Sequence, residues 1–90
     1  MEKVYFKVPD YHYFRYKKLN EAEFDCLTIE FDEEMPNASI CIESRSSYKT
    51  FDDAISKSKE IYNRFGLVEI TEAEFKAAYQ KAVDIIQKSI

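Results

Sequence analysis

The sequence predicts an α+β domain with the order ββββαα. Three observations carry that expectation. Residues 1–46 show alternating apolar positions rich in β-branched and aromatic types. Residues 47–90 show apolar positions at helical spacing. The junction between the halves has no linker-like composition. Hydrophobic residues make up 46% and aromatics 16% of the 90 residues, too many for a disordered acidic chain. The length suits one domain over 1–90, with a sheet half (1–46) and a two-helix half (47–90).

The first strand is Val4-Tyr5-Phe6-Lys7-Val8, ended by Pro9-Asp10, and the second runs from His12 to Lys18. The third covers Phe24 to Phe31. An acidic turn, Asp32-Glu33-Glu34-Met35-Pro36-Asn37, leads into a fourth strand from Ala38 to Arg45. Asn20 and Glu23 also mimic a helix cap, a competing signal between the second and third strands. Thr50 is an N-cap candidate with Asp53 three positions on. Phe51, Ala54, Ile55, Ile61, Tyr62 and Phe65 then form one stripe, and Gly66 stands where a left-handed C′ residue is wanted. The second helix opens with a Thr71/Glu74 capping box and an Ile70/Phe75 hydrophobic staple. Phe75, Ala78, Tyr79, Ala82, Ile86 and Ile90 line its apolar face.

Register follows from parity, because a one-residue slip moves every side chain to the other face. In an antiparallel meander, centring the last hairpin on its acidic turn pairs Phe31 with Ala38, Ile29 with Ile40 and Leu27 with Ile42. A four-residue loop at 19–22 pairs Phe14 with Leu27. A three-residue loop at 9–11 pairs Val8 with His12. These registers gather Val4, Phe6, Val8, Phe14, Leu27, Ile29, Phe31, Ile40 and Ile42 on one face. Both helices are then expected to cover that face, giving a two-layer fold with a four-stranded sheet. The opposite face is expected to be open.

That open face would hold Tyr5, Lys7, Tyr13, Arg15, Lys17 and Phe24, the candidate partner-binding residues. Tyr and Arg are common anchors of protein interfaces, so a protein partner or a homodimer is the leading expectation. The same aromatic and basic types can stack bases and hold phosphates, which makes single-stranded nucleic acid the alternative. The bland reading is a solvated strand face of ordinary cross-strand neighbours.

The counts exclude several chemistries. One glycine, Gly66, cannot build a P-loop or a dinucleotide fingerprint, where backbone must approach phosphate closely. One histidine, His12, excludes histidine-rich metal sites, and two cysteines, Cys26 and Cys41, do not make a four-cysteine zinc site or a disulfide framework. The expected register puts the cysteines diagonal to one another and His12 on the other face, which denies them a shared nucleophilic or metal site. The acidic turn lacks the spacing and glycine of an EF-hand loop. No catalytic residue, metal or cofactor is expected, and the protein is read as a non-enzymatic interaction module.

Net charge is −4 and uneven. Residues 1–18 carry five basic and two acidic groups, residues 19–45 one basic and eight acidic, and residues 46–90 seven of each. An acidic chain disfavours non-specific duplex binding but leaves room for a local basic patch near the start. No apolar run exceeds three residues and the first residues hold no signal-like segment, so a cytoplasmic protein with free thiols is expected.

Overall fold

A computed structural model describes residues 2–9, 12–32, 37–45 and 50–90. The chain forms β1 (Lys3–Val8), β2 (His12–Lys18), β3 (Phe24–Asp32) and β4 (Asn37–Arg45). Helix α1 (Phe51–Tyr62), a 3-10 turn (Asn63–Phe65), β5 (Val68–Glu69) and helix α2 (Glu72–Lys88) follow. The sheet is antiparallel throughout, in the order β4-β3-β2-β1-β5. The α+β class, the four-strand meander and the ββββαα order therefore stand. The fifth strand is an addition of two residues at the β1 edge.

Two of the three expected registers are present. Phe6 faces Phe14 and Val8 faces His12 across β1 and β2. Leu27 faces Ile42, Ile29 faces Ile40 and Phe31 faces Ala38 across β3 and β4. Residues 10 and 11 of the first loop and residues 33–36 of the acidic turn lie outside the described residues.

The β2–β3 register differs by one residue. Phe14 faces Thr28 rather than Leu27, and Lys18 faces Phe24. The intervening loop is therefore five residues, Leu19 to Glu23. Its cause is the Asn20 signal: Asn20 Oδ1 accepts from the backbone N–H groups of Ala22 and Glu23, both at 2.9 Å. The Leu19 and Asn20 amides both donate to the Glu23 carbonyl, at 3.0 and 3.2 Å. The asparagine side chain satisfies backbone donors and holds one extra residue in the turn.

That single residue divides the apolar set between two faces. Phe6, Val8, Phe14 and Tyr16 join Phe24 and Cys26 on one face, where Phe51 and Ala54 of α1 pack on them. Leu27 and Ile29 lie on the other, beneath Phe75, Ala78 and Ala82 of α2, with Tyr5, Tyr13, Phe31 and Ile40 around them. The expectation that both helices cover one face is corrected accordingly. The sheet lies between α1 and α2 in three layers, because each helix stripe finds its own apolar half-face.

The chain changes faces by passing around the β1 edge. Gly66 ends the 3-10 turn with φ 82°, a left-handed conformation that suits a residue without a Cβ. Val68 and Glu69 then pair with Lys7 and Phe6, and the Ile70 N–H donates to the Tyr5 carbonyl at 2.9 Å. Thr71 and Glu74 close the expected capping box, which starts α2 on the far face. Thr50 caps α1 as expected, its side chain accepting from the Asp53 N–H.

Candidate functional site

Helix α2 runs obliquely over its face. Its Phe75 ring lies 5.3 Å from the Tyr5 ring, and its Lys81 Nζ sits 4.9 Å from the centre of the Phe31 ring. Two cross-strand rows lie toward the far end of that face. One is Tyr5–Arg15–Leu27–Ile42 and the other is Lys3–Lys17–Asp25–Ser44. Between the first row and the helix lies a cleft of about 280 Å³, lined by Lys3, Tyr5, Arg15, Leu27, Glu72, Phe75, Lys76 and Tyr79.

The cleft has apolar aromatic walls and cationic groups. Tyr5, Phe75, Tyr79 and Leu27 supply the walls, and Lys3, Arg15 and Lys76 the cations. Lys17 stands directly opposite Lys3 in the adjoining row, a like-charge cross-strand pair that costs stability unless neutralised. Asp25 faces Lys17 on the other side and accepts from Ser44 Oγ at 3.0 Å. Glu72 pairs with Lys76 at 3.4 Å, in an exposed geometry worth little. Burial raises the Tyr5 pKa above its usual value. The Glu72 carboxylate adds to that rise, by its charge and by its hydrogen bond to the phenol, and the Arg15 guanidinium opposes it.

Arg15 stands apart from these pairs. Its Nε is sealed from solvent and meets no hydrogen-bond acceptor, and among the described residues no carboxylate lies within ion-pair distance of the guanidinium. A buried N–H without an acceptor costs about 1–3 kcal/mol.

The six residues expected to share an open face have separate fates. Tyr5 and Arg15 share the cleft, and Lys17 lies one row beyond it. Tyr13 lies on the opposite flank of α2, in a second hollow with Glu74, Ala77, Ala78 and Lys81. Lys7 is half-buried between Tyr13 and Val68. Phe24 does not belong to this surface: it is 2% exposed on the other face, its ring 6.1 Å from that of Phe51. The one-residue shift that moved β3 also moved Phe24. The expected open face is thus corrected to a strip beside α2. Lys3, Lys76 and Tyr79 belong to that strip without having been expected. The Lys3↔Lys17 pairing follows from the expected β1–β2 register, but the two α2 residues could be placed only once α2 was known to cross this face.

The remaining candidates are the two cysteines and His12. Cys26 is buried and Cys41 is exposed, neither is joined in a disulfide, and they lie opposite Glu43 and Thr28 as expected. His12 lies on their face, a second consequence of the shifted register. Its Nε2 is 3.2 Å from the Glu30 carboxylate and its ring packs on Phe14, 4.3 Å between centres. Burial lowers the His12 pKa, and Glu30 partly offsets that. Among the described residues no three His, Cys, Asp or Glu side chains converge as metal ligands, and no helix is long and apolar enough to cross a membrane.

Comparison with protein-family models, curated proteins and solved structures finds no match to this chain.

Proposed function

We propose that the protein is a small non-enzymatic interaction module. Its partner is another protein, in the simplest case a second copy of the chain. The partner docks along β4 and the strip of sheet beside α2. The observation that carries this reading is Ile42. It is 61% exposed in mid-strand, in line with Leu27, Arg15 and Tyr5. β4 is also an edge of the sheet, so among the described residues one side of its backbone has no strand beside it. Edge strands of native proteins commonly carry lysine or proline against unwanted pairing, and Asn37–Arg45 carries neither. An added strand would gain backbone hydrogen bonds and cover Ile42.

Light scattering over about 10 µM to 1 mM tests the self-pairing form. The expected result is a mass rising from 10.7 kDa toward twice that value, with Ile42→Lys holding the chain at the monomer mass. A monomer at every concentration contradicts it.

Single-stranded nucleic acid is the second reading, favoured by Lys3, Arg15, Lys17 and Lys76 beside Tyr5 and Tyr79. Its test is the anisotropy of a labelled oligothymidine at low salt. Binding that weakens with salt and is lost in Arg15→Glu supports it, and no binding at low salt ends it.

A further inference from the structure

From the lining of the cleft we infer that it is a binding site for a monoanionic carboxylate carried on a small apolar or aromatic body. The inference does not depend on strand pairing at β4, although the cleft belongs to the strip on which that partner would dock: its lining comes from α2 and strands β1 to β3.

Charge sets the sign of the ligand. The molecule is acidic as a whole, yet Lys3, Arg15 and Lys76 line the cleft against the single carboxylate of Glu72, and Lys17 stands opposite Lys3. Chemistry sets the group. Arg15 presents a planar fork of donors whose Nε has no acceptor among the described residues, and a carboxylate accepts from such a fork through two parallel hydrogen bonds. Because Nε is sealed from solvent, binding requires the guanidinium to turn toward the cleft.

The walls set the rest of the ligand. Tyr5, Phe75, Tyr79 and Leu27 offer aromatic and aliphatic surface on which a ring can pack. The Glu72 carboxylate on the same wall repels a second negative charge, which favours a carboxylate over a dianionic phosphate. A volume of about 280 Å³ admits one ring and its carboxylate arm, at the small end of ligand sites. Two sources supply this chemistry: a free arylalkanoate, or the C-terminal phenylalanine of another protein.

The test is a titration of the full ¹⁵N-labelled chain, followed by amide resonances at low ionic strength. The probes are phenylacetate, acetyl-alanyl-phenylalanine, and the same dipeptide with its carboxylate converted to carboxamide. The expected result is saturable movement of the Tyr5, Arg15, Leu27 and Tyr79 resonances by at least one of the two carboxylates, with the carboxamide at least about tenfold weaker. Tighter binding of the dipeptide assigns the site to a partner's C-terminus, and tighter binding of phenylacetate to a free acid. Arg15→Gln should weaken binding at least about tenfold, Arg15→Lys should fall between, and Glu72→Gln should tighten it a few-fold. Glu72 is exposed, so that variant keeps the test open should Arg15→Gln fail to fold. Two results overturn the inference: no saturation by either carboxylate, or equal binding of the carboxamide.

Discussion

The hydroxyls of Tyr16 and Ser58 meet at 2.8 Å, joining β2 to α1 across 42 residues of chain. The Tyr16 ring lies within the aromatic cluster of Phe6, Phe14 and Phe24. Its phenol thus reaches out of an apolar layer to a helix that otherwise docks by burial of Phe51 and Ala54. Tyr16→Phe should keep the packing and lose the hydrogen bond, lowering unfolding free energy by about 1 kcal/mol in urea titration. Ser58→Ala should cost a similar amount. The double variant should cost less than the sum, because both changes remove one interaction.

The Asn20 turn sets the β2–β3 register. Asn20→Ala removes the acceptor of two backbone N–H groups, at Ala22 and Glu23. The loop is exposed, so water replaces part of the loss, and a decrease of about 1 kcal/mol is expected. Aspartate at the same position keeps an oxygen acceptor and should retain most of the stability. Equal losses for alanine and aspartate would remove the side chain from the control of this turn.

Gly66 carries the chain from α1 toward β5 at φ 82°. Gly66→Ala should destabilise the protein by about 1–2 kcal/mol, the ordinary cost of a Cβ in the left-handed region. The strain is in the backbone: a Cβ there would meet Pro9 Cδ at 3.6 Å, an ordinary contact. Gly66→Asn should recover part of the loss, since asparagine tolerates this region. Thermal or urea unfolding reads both.

His12 gives a pH dependence of known sign. Its pKa in the folded chain is lowered, chiefly by burial, so the unfolded chain binds the proton more readily. Stability from this residue is fully present above the unfolded value of about 6.5 and is lost as pH falls through the folded value. Urea midpoints should therefore drop on acidification through this window, and His12→Gln should flatten the slope there. The opposite slope would mean that the Glu30 contact at 3.2 Å outweighs burial.

Most of the elements were legible in the sequence because their signals are local. The Thr71/Glu74 box, the Thr50 cap and the Gly66 stop each act within a few residues. The β3–β4 register was legible because an apolar pair stands at each of three alternate positions, Leu27/Ile42, Ile29/Ile40 and Phe31/Ala38. The β2–β3 register was not, because parity favoured one continuous apolar face while Asn20 stabilised a loop one residue longer. Both arrangements bury apolar side chains, and the local hydrogen bonds decide between them. That decision moved Phe24 from the candidate surface to the core and put α2 over Tyr13. Tyr5 and Arg15 kept their shared face, since the β1–β2 register was unaffected. The partly exposed cleft exists only because α2 crosses that face, a tertiary fact with no local signature.

Helices α1 and α2 therefore clad opposite faces of one sheet. Nuclear Overhauser spectroscopy of the aromatic side chains tests this arrangement most directly. The account predicts cross-peaks between the rings of Phe75 and Tyr5, 5.3 Å apart, together with cross-peaks between Phe51 and Phe24, 6.1 Å apart. Cross-peaks from Phe75 to Phe14 or Phe24 would place both helices on one face and contradict it.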